Sequence, residues 1–396
     1  MTAQDYKAPA SVNQLQNASF SVGLIALALG GFLALRQPGA FFHSYLMAYM
    51  LILGFALGSL GLLMLQHLTS GQWGILIRRP LESATRTLPL LLVLFLPIFF
   101  FGMKYLYAAW LDPEKLQAEP LSLMQQSWLT LSAFRVRAMI YFVVWLLLMT
   151  LFNYLSRQQD VNREDRALRR RLKFWAGPGI ILYVFTMSFA AIDWVMSITP
   201  HWASTIYGFL FVAGQLISTM ALMIAIVVLL ARPGGPLDGA LHKRHLTQLG
   251  GLLFAFIMLW AYFSFSQLLI IWSGNLPEEI SFYRSRLYGS WGAVAIVVLI
   301  LHFFIPFFLL LSRDLKRNSR LLPKVAMWMI FMRVVDLYWL TQPEFSRTAM
   351  PNPLNLVLPI ALLGIWLGFF AWNLKREPLL PLGDPKLAEA IASHEH

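Results

Sequence analysis

Few side chains in the long apolar stretches of this sequence can move a proton or hold a ligand, and those few define the chemistry open to it. Asp193 and His201 lie in DWVMSITPHW, on either side of Thr199-Pro200, which should end a helix. Imidazole titrates near neutrality and a desolvated carboxyl is raised toward it, so the two suit proton exchange with a quinol. Trp194 and Trp202 would wall a flat ring. The same residues read equally well as an aromatic belt with an Asp capping a helix end. Arg333 and Asp336, in FMRVVDLYWL, are i, i+3 neighbours on one helical face. They form either a structural pair or part of a proton relay. His302 stands alone in its apolar run and reads as a hydrogen-bonded core histidine. Gln215, Ser264, Ser266 and Gln267 add neutral polar groups. In WSGNLPEEISFYRSR, Glu278 and Glu279 stand near Arg284 and Arg286. That segment reads as a solvated loop with local ion pairs, a proton exit, or a docking surface for a basic partner.

Other chemistries are excluded. There is no Cys, so the chain has no disulfide, no cysteine-ligated iron–sulfur cluster, no thiol catalysis and no c-type haem attachment. A b-type haem within a membrane wants two facing histidines, and of the eight His only His302 lies deep in an apolar run. Neither GxxxxGK[ST] nor HExxH occurs.

The elements that must position these residues are transmembrane helices. The 396 residues are 58% hydrophobic and 13% charged, whereas a soluble domain carries about 25% charge. Mean hydropathy is +0.63. Ten stretches are long enough to cross a bilayer: Ala18–Leu35, Ser44–Leu65, Leu88–Tyr107, Met139–Leu155, Pro178–Ile198, Ile206–Ala231, Leu249–Ser273, Tyr288–Leu311, Leu322–Leu340 and Leu354–Trp372. The expected organisation is a leader over 1–17, an all-α membrane domain over 18–373 and a tail over 374–396. The short loops leave no room for an inserted soluble domain. The longest, Leu111–Ala138, carries LSLMQQSWLTLSAF, which suits an interfacial helix. Gly54, Gly58 and Gly61 predict close helix packing in the second span. The tail GDPKLAEAIASHEH reads as interfacial or partner-bound. Of the 31 Lys and Arg, 22 fall on the side of the termini and eight on the other, with Arg333 inside a span. Both termini are therefore expected in the cytoplasm. The net charge of +12, including RALRRRLK at Arg166–Lys173, is a topology signal and a place for anionic lipid, not a nucleic-acid footprint.

Several long motifs carry a family resemblance. HSYLMAYMLILGFALGSLGLLMLQHLTSGQWG, IRRPLESATRTLPLLLVLFLPI and DWVMSITPHWASTIYG resemble the NrfD-like membrane subunits of bacterial respiratory complexes. YFSFSQLLIIWSGNLPEEISFYRSR and MRVVDLYWLTQPEF resemble the smaller of the two NrfD-like subunits of alternative complex III, a quinol:electron-acceptor oxidoreductase. The resemblance runs from about Phe41 to GDPKL. It implies an all-α, ten-helix polytopic protein of the bacterial cytoplasmic membrane, with spans two to five and six to nine as two four-helix bundles. It implies no cofactor in this chain. Haem c and iron–sulfur clusters would belong to partners: a multihaem cytochrome, a monohaem cytochrome, an iron–sulfur subunit, a larger NrfD-like paralogue and small membrane subunits. The polar positions in family motifs are Asp193, His201, Glu278, Glu279, Arg333 and Asp336. A proton pathway with quinone contact is the expected role. A purely structural scaffold is the alternative, and a free-standing secondary transporter is a third reading.

Overall fold

Apolar runs in lipid must satisfy their backbone internally, which leaves the helix as the form open to them here. The computed structural model describes residues 6–162 and 165–392, and these contain helices and no strand. The first five residues of the leader, Arg163 of the basic loop and the last four residues of the tail lie outside the described residues. The long helices are α1 (Ser11–Ala34), α2 (Pro38–Thr69), α3 (Arg78–Leu106), α4 (Leu131–Val161), α5 (Arg166–Trp194), α6 (Tyr207–Leu230), α7 (Lys243–Gly274), α8 (Gly289–Leu311), α9 (Leu322–Thr341) and α10 (Leu354–Leu374). Nine of the described helices are long and apolar enough to cross a membrane. The other is α9, whose 20 residues include Lys324, Arg333 and Asp336.

Several helices outrun the apolar stretches. α3 begins at Arg78, ten residues before the expected Leu88. α4 begins at Leu131 and takes in Phe134, and α5 begins in the basic run at Arg166. Within Leu111–Ala138, Pro113–Ala118 and Leu123–Trp128 form short helices, the second closed by a capping box between Ser122 and Gln125.

α2 is apolar on all sides and its apolar window is wholly buried, so it is the central helix. It packs against α3, α5, α6 and α10. Contact with α6 depends on Gly58, where a Cβ would sit 2.9 Å from the Gln215 carbonyl carbon. α4 packs on α5, while α7 and α9 pack on α6, and α8 lies against α7 and α9. α1 lies along α10, with Gly23 against the Gly364 backbone. Two helices contain a π-helical turn, Ile98–Gly102 in α3 and Val298–Phe304 in α8. Such turns release backbone carbonyls and recur at functional sites. In α8 the Leu301 carbonyl accepts from Trp328 Nε1 of α9 at 2.9 Å.

The loop before α3, the starts of α5 and α7, and the described residues of both terminal segments lie at one end of the bundle, the basic end. The Leu379 N–H donates to the Tyr6 carbonyl at 2.8 Å, which ties the two terminal segments together. The tail, expected at the membrane interface or on a partner, folds back onto its own chain: Asp384 reaches Arg78 at 2.9 Å, and Gln72 Nε2 donates to Glu389 at 2.7 Å.

Candidate functional site

The charged residues in the middle of α9 meet α6 and α8. The i, i+3 spacing brings Arg333 Nη1 onto Asp336 Oδ2 as an ion pair, and both side chains are buried. Gly214 of α6 leaves room for the guanidinium, since a Cβ there would sit 2.6 Å from Arg333 Nη2. The Phe211 ring flanks the charge at 5.6 Å. Asp336 Oδ1 is buried and makes no hydrogen bond. His302, in the π-helical turn of α8, is fully buried and stacks on Trp260 with centroids 4.4 Å apart and rings nearly parallel. The interaction of His302 with both Arg333 and Asp336 makes the three one electrostatic group. Beside it on α6, Gln215 Oε1 accepts from Tyr183 at 2.9 Å.

A second pair lies toward the opposite end. Arg286, on the helix Pro277–Leu287, donates to Glu344 at 2.7 Å and to the Leu340 carbonyl at 3.1 Å. Its guanidinium lies 3.6 Å from the centre of the Phe282 ring, which stacks on Trp202 at 3.8 Å. The sequence suggested local pairing with Glu278 and Glu279. Arg286 instead turns inward to Glu344, because 281–287 is helical and presents it to the end of α9. Among the described residues Glu278 and Glu279 make no ion pair. Tyr207, buried at the start of α6, lies within electrostatic range of both pairs. The Arg286–Glu344 pair, with Glu344 21% exposed, thus lies beyond the end of α9 nearest the buried Arg333–Asp336 pair. Gln267 donates to Tyr283 at 3.1 Å beside it. Burial pushes the Tyr283 hydroxyl up to about 12, so it remains a phenol.

Asp193 and His201 do not meet. Asp193 is fully buried and accepts four hydrogen bonds: Arg137 Nε and Nη2 at 2.8 Å each, Trp128 Nε1 at 2.9 Å and Tyr141 OH at 2.6 Å. The Arg137 fork also lies 4.1 Å from the centre of the Trp128 ring. This arrangement clamps α4, α5 and the helix Leu123–Trp128, with every carboxylate oxygen in use. His201 is part-exposed and faces Glu119 at 3.6 Å. Trp194 is wholly buried among Phe95, Tyr141, Phe142 and Trp145 rather than walling an open site.

The sequence reading missed a cluster at the basic end. Arg78, Arg79 and Arg86, counted as loop charges, are buried or nearly so, and converge on the fully buried Glu82. Glu82 Oε1 accepts from Arg78 at 3.1 Å and Ser156 at 2.5 Å, and Oε2 from Arg79 at 2.5 Å. Asp384 balances Arg78, Asp160 pairs with Arg79, and Glu377 with Arg79, Arg86 and Arg157. The local signal was present: in IRRPLESATR, Glu82 stands at helical i, i+3 and i+4 spacing from all three arginines.

Among the described residues no group of three or more His, Asp or Glu side chains is placed to hold a metal ion. Compared with protein-family models and with curated proteins, the chain matches none.

Proposed function

We propose that this chain is the smaller NrfD-like subunit of an alternative complex III, a multi-pass protein of the bacterial cytoplasmic membrane with ten spans and both termini inside. In this reading, partner cytochrome and iron–sulfur subunits carry the electrons and the larger NrfD-like paralogue sits beside it. This chain exchanges protons between its middle and its outer face, with quinone contact near the same residues. The motifs quoted above support the family. The observation that carries the proton role is Asp336: a carboxylate buried mid-bundle, held by Arg333 through one oxygen and open at the other. Ionisable groups so placed inside a membrane are costly and mark function by default. In this reading the part-exposed Arg286–Glu344 pair beyond the end of α9 is their outlet.

The test is Asp336→Asn in the assembled complex. Haem-containing partners should still co-purify, while proton release on quinol oxidation falls at least tenfold. Unchanged release and turnover per assembled complex would assign the chain to the scaffold role. Purification of the wild-type chain without haem proteins would remove the respiratory reading and leave the transporter.

A further inference from the structure

A cavity of about 410 Å³ opens at the basic end, between α2, the start of α3, the start of α5 and the tail. Its charge is one-sided: Arg78, Arg169, Arg170, Lys173 and Lys386 line it, against one acid, Asp384. Two of the five cations are engaged, Arg78 by Glu82 and Asp384, and Lys386 by the Ser70 carbonyl at 2.8 Å. Among the described residues, Arg169, Arg170 and Lys173 have no carboxylate within ion-pair distance. Arg169 and Lys173 are i, i+4 on α5, so they present adjacent charges to the same wall. Arg171, in the same run, is exposed and does not line the cavity. At the cavity's inner side His67, 8% exposed, has an Nε2 with no hydrogen-bond partner, and Gln66 Oε1 is likewise buried and unpartnered.

The level of the cavity along α5 identifies the source of its ligand. Phe174 (67% exposed) and Trp175 (44% exposed) follow Lys173 directly. Exposed aromatic residues that pass from a basic run into an apolar helix sit at the boundary between headgroups and hydrocarbon. The three free cations therefore lie at headgroup depth.

We infer that this cavity is a binding site for the phosphate of an anionic phospholipid headgroup, held by Arg169, Arg170 and Lys173, with His67 as a further polar contact. Asp384 occupies the Arg78 side, so the tail closes the cavity and confines the phosphate to the α5 wall. The inference stands apart from the respiratory reading, since it needs only a membrane.

The test uses the full chain as isolated, in neutral detergent and stripped of lipid. It is titrated with phosphatidylglycerol, with phosphatidylcholine and with inorganic phosphate. Retained lipid is read by native mass spectrometry and stabilisation by the thermal midpoint. Phosphatidylglycerol should bind and stabilise, and phosphatidylcholine should do neither. Each basic residue beside an anionic headgroup contributes about a fivefold factor, so Arg169→Gln, Arg170→Gln and Lys173→Gln together should weaken binding about a hundredfold. All three side chains are exposed, and the lipid-free midpoint should not change. The control Arg313→Gln, Arg317→Gln, Arg320→Gln removes equal charge from the same end outside the cavity, and should weaken binding less than threefold. An equal loss in the control would reduce the effect to general surface attraction and overturn the site. Stabilisation by inorganic phosphate alone would overturn the lipid source.

Discussion

The substitution Glu82→Gln tests whether the basic-end cluster is a balanced buried charge system. Four arginines (Arg78, Arg79, Arg86, Arg157) face four carboxylates (Glu82, Asp160, Glu377, Asp384), so the cluster is neutral as built. Glutamine keeps the shape but removes the charge at its most buried point, leaving one uncompensated positive charge. Asp384 still serves Arg78 and Asp160 still serves Arg79, so Glu377 is left to Arg86 and Arg157 together, and the three arginines around position 82 lose the one carboxylate they share. Breaking a buried pair in this way costs about 3–5 kcal/mol. At about 2.1 cal/mol/K of unfolding entropy per residue, 396 residues give about 0.8 kcal/mol/K, so Tm should fall by about 4–6 °C. Arg157→Gln is the internal standard. Its side chain is 55% exposed, and an exposed pair is worth about 0–1 kcal/mol, hence about 1 °C at most. Both variants are melted in the same detergent, with tail release followed by proteolysis after Leu374. Equal shifts for the two variants would refute the claim that Glu82 compensates a buried charge.

Two further substitutions probe other parts of the bundle. Gly58→Leu should destabilise the protein by about 1–3 kcal/mol by forcing α2 from α6, while Gly31→Ala, with nothing within 4 Å, should leave the melting curve unchanged. Asp193→Asn should cost about 2–3 kcal/mol and raise hydrogen exchange in Leu123–Trp128, with turnover per assembled complex unchanged; a turnover loss without faster exchange would contradict its assignment as a clamp.

The readable parts of this molecule are local ones. Apolar runs located the long helices, and the i, i+3 spacing of Arg333 and Asp336 announced their pair, because both signals lie within a few residues. What escaped depends on partners far along the chain. Arg78 looks like a loop charge until Asp384, 306 residues away, comes to it. Arg286 looks like the neighbour of Glu278 and Glu279 until a helix turns it toward Glu344. α3 could not be extended to Arg78 from hydropathy, since its first turns are charged, and two of the acids that balance them, Glu377 and Asp384, come from the tail. Asp193 beside His201 suggested a couple. Spacing alone cannot tell that Arg137, 56 residues earlier, already holds the carboxylate.

The three buried carboxylates differ in a way that separates support from chemistry. Asp193 and Glu82 each have both oxygens engaged, by an Arg fork, an indole and a phenol in one case and by two arginines and a serine in the other. Groups with both oxygens so engaged hold helices together, and a proton can reach them only by displacing a partner they already hold. Both lie near ends of the bundle, where helices must be tied to loops. Asp336 lies deeper, on the only long helix whose charge content sets it apart from the nine apolar ones among the described residues. Its Arg333 partner offsets the cost of burying the charge but takes one oxygen only. His302 beside it sits on a π-helical turn, a distortion that Trp328 stabilises by taking up the Leu301 carbonyl. A structural pair at that depth would gain from closing Asp336 Oδ1 with a hydroxyl or amide, as the other two carboxylates are closed. An open carboxylate oxygen at that depth is what a proton relay requires, which is why Asp336 rather than Asp193 is the residue on which the proposed activity rests.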